Sequence, residues 1–143
     1  TVMDGKYQYS YSDGDQWFQW SPDSKWILSD YIGVGGWNNK DVVLLNADGN
    51  DLAFITVSLL DKDGNECPLA DDELTFEVKG AGTFKAACNG DATSLDSFTQ
   101  PHMRLFSGKL VIVVQSKAQK GDIILTVKDG KRNMEKSLTL QAI

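Results

Sequence analysis

The sequence predicts an all-β fold, a sandwich or a barrel, and three observations predict it. No stretch sustains the ~3.6-residue period of an amphipathic helix. Turn clusters rich in Gly, Asn and Asp recur every ~8–12 residues, with short alternating apolar runs between them. At 143 residues and 41% hydrophobic, the chain is apolar enough to bury one ordinary core, with or without an appendage.

The elements follow in order. Trp17 to Trp20 reads as a short aromatic strand. Ser21-Pro22-Asp23-Ser24 turns it, because Pro presets φ and Asp bonds local backbone. Lys25 to Asp30 is the next strand, Gly33 to Asn39 a glycine-rich loop, and Asp41 to Leu45 a third strand closed by Asn46-Ala47-Asp48-Gly49. Leu52 to Leu60 is a longer strand, ended by Asp61-Lys62-Asp63-Gly64-Asn65, where Asp-Gly is a hairpin signal. Leu74 to Val78 alternates, which puts Leu74, Phe76 and Val78 on one face. Gly80-Ala81-Gly82 breaks that strand. Thr83 to Ala87 then runs into Asn89-Gly90-Asp91, and residues 92–104 read as a long connection. Leu110 to Gln115 is the most apolar strand and is expected at the centre of a sheet. Ile123 to Val127 and Ser137 to Leu140 complete the set.

The large aromatics are sorted unevenly. All four Trp and all four Tyr lie in the first 37 residues, and neither type occurs from Asp48 onward. A single domain rarely separates its Trp and Tyr so fully. Two pieces are expected, an aromatic-rich β segment over residues 1–46 and a β-sandwich over residues 47–143.

Charge and composition exclude several function classes. The net charge is −6, and the basic residues are scattered, so no basic stripe can replace phosphate counterions on a nucleic acid. No apolar run approaches the ~20 residues that span a bilayer, and no signal peptide is legible. A chain opening on Thr1 is expected to be a processed product or a piece of something longer. Cys67 and Cys88 match no zinc motif. They are expected as free thiols, although one disulfide between them stays open.

Few residues suggest chemistry. Asp61-x-Asp63-x-Asn65 starts like a calcium loop, but Glu66 stands where that loop needs Gly and Asp72 where it needs its closing Glu. A hairpin turn is the better reading. Asp71, Asp72 and Glu73 read as a solvated acidic loop, because adjacent loop residues point apart and a glycosidase pair must face across a bound sugar. His102 is the only histidine, and no motif ties it to Cys88 or Asp91. Gly33-x-Gly35-Gly36 is not followed by a helix, so it is no phosphate loop. No catalytic residue, metal ligand or cofactor is expected. The one binding candidate is a sugar-stacking platform of Trp17, Trp20, Trp26 and Trp37. Its competitor is plain packing of these side chains against the sandwich.

Specific residues carry a resemblance in the second part. They are Ala47-Asp48-Gly49-x-Asp51-Leu52-Ala53-Phe54, the Asp61-x-Asp63-Gly64-Asn65 hairpin, and Phe76-x-Val78-x-Gly80-x-Gly82. Asn89-Gly90-Asp91-x-Thr93-Ser94, the strand Leu110 to Ser116, and Gly121-x-Ile123-x-Leu125-Thr126 follow. Residues 47–127 thus resemble the Ig-like C-terminal domain of family 2 glycoside hydrolases of the β-galactosidase type. The resemblance implies an Ig-like β-sandwich that is structural and non-catalytic, with the catalytic glutamates on a barrel outside this chain. It also implies a bacterial periplasmic or secreted parent and other domains of that enzyme as partners. An open strand edge offers a route to self-association.

Trp20-Ser21-Pro22-Asp23-Ser24-Lys25-Trp26-Ile27, the glycine loop, and Lys40-Asp41-Val42-Val43-Leu44-Leu45-Asn46-Ala47-Asp48-Gly49 carry a different resemblance. Residues 13–49 are similar to one blade of a tricorn-type protease β-propeller. A lone blade cannot bury both faces, so it must pack on something. Both resemblances share Ala-Asp-Gly, which implies a chimera joined near Ala47-Asp48-Gly49. The expected fold is an Ig-like β-sandwich extended by a three-stranded N-terminal segment.

Overall fold

The computed structural model describes the backbone at residues 2–3, 6–11, 14–20, 26–32 and 44–143, and side chains from residue 45 onward. All regular structure among the described residues is β. The strands are β1 (Val2–Met3), β2 (Lys6–Tyr11), β3 (Gly14–Trp20), β4 (Trp26–Ile32), β5 (Leu44–Leu45), β6 (Leu52–Asp61), β7 (Glu73–Gly80), β8 (Gly82–Cys88), β9 (His102–Arg104), β10 (Lys109–Ser116), β11 (Gly121–Asp129) and β12 (Met134–Ala142). They form two sheets, ordered β1-β2-β3-β4-β6-β10-β8 and β5-β12-β11-β7-β9. This is the expected sandwich.

Alternation builds its interior. Ile55, Val57 and Leu59 of β6, with Leu110, Ile112 and Val114 of β10, are buried from one sheet. Leu74 and Phe76 of β7, Ile123, Leu125 and Val127 of β11, and Leu140 of β12 meet them from the other. The Phe76 and Phe84 rings stack between the sheets with centroids 5.9 Å apart. β10 lies between β6 and β8, the inner position that its apolar sequence predicts.

The Gly80-Ala81-Gly82 break is where the chain crosses between the sheets. β7 ends at Gly80 and β8 begins at Gly82, so a single residue makes the crossing. Gly80 has φ +85°, and a Cβ there would stand 2.1 Å from the carbonyl oxygen of Asp122. Only glycine permits that approach. The Ala81 N–H donates to the same carbonyl at 2.8 Å.

The N-terminal strands extend the sandwich differently from the expected three-stranded unit. β4 pairs antiparallel with β6 from Trp26↔Asp61 to Ile32↔Ile55, and β3 and β2 continue outward from it. β1 and β2 lie upstream of the first strand expected, although Tyr7, Tyr9 and Tyr11 alternate with polar residues as a strand would. The expected third strand, Asp41 to Leu45, is described only at Leu44–Leu45. It joins the opposite sheet, parallel to β12, through Gln141↔Leu44 and Ala142↔Leu45. Residues 92–104, expected as a plain connection, end in β9, which pairs with β7. Three residues are too few to show alternation. The Ser21–Ser24 turn, the glycine loop and Trp37 lie outside the described residues.

Candidate functional site

The densest chemistry among the described residues gathers at one end of the sandwich. Inward alternation in β7, through Leu74 and Phe76, continues one step back to Asp72. In β11 the inward row Ile123, Leu125, Val127 continues one step on to Asp129. The two strands are paired, and Asp129 lies opposite Leu74 in the ladder. Both carboxylates therefore enter the edge of the core, where Asp72 and Asp129 are each 1% exposed. The solvated-loop reading of Asp71-Asp72-Glu73 is corrected at Asp72. Asp71 remains outside, and Glu73 lies 3.2 Å from His102 Nδ1. The inward phase was present in the sequence, but the strand was expected to start at Leu74.

The turn between β11 and β12 answers these buried charges. Asp129 Oδ1 accepts the N–H groups of Lys131 and Arg132 at 2.9 and 3.2 Å, and Asn133 closes the turn at φ 53°. This folding-back carries the Arg132 side chain onto Asp72. Its Nε donates to Asp72 Oδ2 and its Nη2 to Oδ1 at 3.3 Å. Lys131 Nζ adds a contact to Asp72 Oδ1 at 3.1 Å. The Leu105 N–H donates to the Asp72 carbonyl at 2.9 Å, and the Gly108 N–H to the Ala70 carbonyl at 3.2 Å. Three loops are thus tied together around one carboxylate.

Environment separates the two acids. Burial pushes the Asp129 carboxyl up to about 6, and the neighbouring Asp72 carboxylate adds to it. Burial also pushes Asp72 upward, but the facing Asp129 carboxyl and the donors of Arg132 and Lys131 outweigh it and hold Asp72 below its ordinary range. Separated acid and base values are a mark of functional sites, and of structural ion networks too. Here Arg132 caps Asp72 and is itself largely covered. A glycosidase pair flanks a cleft wide enough for a sugar, whereas these two acids face each other and a guanidinium.

The other sequence candidates are spoken for locally. Asp61 Oδ1 accepts the N–H groups of Asp63 and Asn65, each at 2.9 Å, as in a hairpin turn. Those bonds, that from Asn65 first, hold its carboxyl below the ordinary range. Asp91 binds the Thr93 hydroxyl at 2.7 Å, and Asn89 Nδ2 donates to the Arg104 carbonyl at 3.0 Å. Cys67 and Cys88 are free thiols. Of the proposed sugar platform, Trp17 and Trp20 lie on β3 and Trp26 on β4. Their side chains, and all of Trp37, lie outside the described residues.

The profile of the glycoside hydrolase family 2 C-terminal domain 5 family matches residues 39–136. The chain belongs to this family. Over 86 residues it is 40% identical to the β-galactosidase BoGH2A of Bacteroides ovatus, a match covering 60% of this chain and 10% of that protein. A β-glycosidase from Bacteroides vulgatus superposes on 82% of the chain with TM-score 0.65 and 28% identity, over 17% of its own length. A family 2 member from Bacteroides cellulosilyticus superposes on 83% with TM-score 0.68 and 27% identity, again over 17% of its length. The chain therefore spans a small part of the relatives it matches. It corresponds to their C-terminal domain, not to the catalytic one. Within this family 2 domain, the match runs across Ala47–Gly49 and takes in β5, Asp72, Asp129 and Arg132.

Proposed function

We infer that this chain is a non-catalytic accessory module of a family 2 glycoside hydrolase of the β-galactosidase type, and that it packs against the other domains of that enzyme. One observation carries the reading. The only inward-facing carboxyl pair among the described residues, Asp72 and Asp129, is sealed beneath Arg132. It is a structural pair and cannot flank a sugar. Supporting the packing role, one row across the outer face of β6, β10 and β8 is apolar. Phe54 is 53% exposed and lies beside Val113, which in turn lies beside Ala86. A surface of that kind suits a domain interface.

The test is direct. Purified chain should release no chromophore from nitrophenyl β-galactosides above a buffer blank. Reproducible turnover, abolished by Asp72→Asn or Asp129→Asn in folded protein, would overturn the reading. A second reading, a sugar-binding platform of Trp17, Trp20, Trp26 and Trp37, is favoured by the placing of three of them on the paired strands β3 and β4. Tryptophan fluorescence titrated with galactosides decides it. As for origin, a join near Ala47–Gly49 would interrupt the family match, so any propeller-like graft is better placed upstream of residue 39.

A further inference from the structure

We propose that Asp72 and Asp129 hold one proton between them, and that this shared proton is a pH-sensitive clasp fastening the β11–β12 turn to the segment before β7.

Geometry favours a proton here. Asp129 Oδ1 is satisfied by two backbone N–H groups. Its Oδ2 is buried and has no hydrogen-bond partner, with the nearest cationic nitrogen, Arg132 Nε, at 4.0 Å. A buried carboxylate oxygen without a donor is costly, and protonation is the usual remedy. A proton on Oδ2 turns that oxygen into a donor. The acceptor at hand is Asp72, whose charge Arg132 and Lys131 already stabilise. Two ionised carboxylates sharing one site repel, and one proton removes the conflict.

The surroundings give the proton no better home. The segment before β7 presents Asp71 and the Cys67 thiol to this cluster, and the turn presents Lys131 and Arg132. Burial, followed by the charge of Asp61, pushes the Cys67 thiol upward, so it stays neutral. Asp72 raises Lys131, which stays charged. β7 sets Leu74 opposite Asp129, and β12 sets Met134 there. Glu73 is occupied with His102.

The sign follows. Asp129 is raised in the folded state, so the stability its proton contributes is fully present below the ordinary value of 3.8 and is lost as pH rises through about 6. Asp72 is lowered, so its contribution is lost only on acidification below that ordinary value. Between the two limits only Asp129 titrates within the clasp. Raising pH through this window loosens the turn.

Thermal melting across pH ~4 to ~8 tests the clasp on the intact chain. Asp129→Asn keeps the acceptor for the Lys131 and Arg132 N–H groups and supplies a permanent donor to Asp72. It should melt higher than wild type by about 3 °C or more near pH 7. The difference between the two proteins should shrink toward pH ~4. Taking the difference between the two proteins cancels contributions from the rest of the chain. Parallel melting curves with a constant offset would overturn the proposal. An infrared band of a protonated, buried carboxyl should be present in wild type near pH ~5, fade above about 6, and be missing in Asp129→Asn. A wild-type spectrum identical to that of Asp129→Asn would also refute it.

Discussion

Arg132 reaches back across 60 residues of sequence to place two donors on the carboxylate of Asp72. Neither partner stands out in the sequence. Asp72 is one of three consecutive acids, and Arg132 sits in a polar turn. Strand pairing brings them together, and burial makes the pair matter.

Truncating the arginine should therefore be expensive. Arg132→Met leaves the Asp72 charge at the core edge with only Lys131 opposite it. Breaking a buried pair in this way costs about 3 kcal/mol or more. Urea unfolding at neutral pH measures it, and a loss under about 1 kcal/mol would show the pair to be peripheral. The double variant Arg132→Met, Asp72→Leu should recover part of the loss, because no charge is then stranded.

Two glycines with nearly the same backbone angle should behave differently. Gly64 and Gly80 have φ +84° and +85°, but a Cβ meets nothing within 4 Å at Gly64 and the Asp122 carbonyl at 2.1 Å at Gly80. Gly64→Ala should cost about 1 kcal/mol, the left-handed penalty alone. Gly80→Ala carries the same penalty and must also push β11 away, so it should lose several-fold more. Equal losses in chemical denaturation would contradict the tight sheet crossing.

Position on a strand, not hydrophobicity, should rank apolar truncations. Leu125→Ala opens a cavity between the sheets and should cost about 2–5 kcal/mol. Phe54→Ala removes a larger side chain from the exposed outer face and should stay within about 1 kcal/mol in the isolated chain. A comparable loss at Phe54 would mean that its face is already covered.

Removing residues 1–40 should lower the melting temperature by about 5 °C or more. β6 then loses its partner β4 along the ladder from Trp26↔Asp61 to Ile32↔Ile55. The bared edge is a template for pairing between copies, so the truncated protein should also self-associate in sedimentation. A monomer melting within a degree of the full chain would show the N-terminal strands to be dispensable.

Much of this was legible in the residues. Leu52 to Leu60, Leu74 to Val78, Leu110 to Gln115 and Ile123 to Val127 each alternate or run apolar for long enough to announce a strand and its buried face. Asp63-Gly64 and Gly80-Ala81-Gly82 announce the turns, because the left-handed backbone at Gly64 and Gly80 leaves few other residues possible there. The motifs from Ala47 to Thr126 carried the family. Such signals are local, and a strand's own pattern contains them whole.

What lay beyond reach depends on partners distant in sequence. β9 is a strand only because β7 offers it an edge. Leu44 and Leu45 could have continued the N-terminal sheet, but they pair with the end of β12 instead. Asp72 looked like a solvated acid because nothing beside it in the chain is cationic. It is buried because the β7–β11 ladder carries it to the core edge, where the Asp129 turn delivers Arg132. Alternation gives each strand its inner face. Only the packed sheets decide which inner faces meet, and so which acids are left without water.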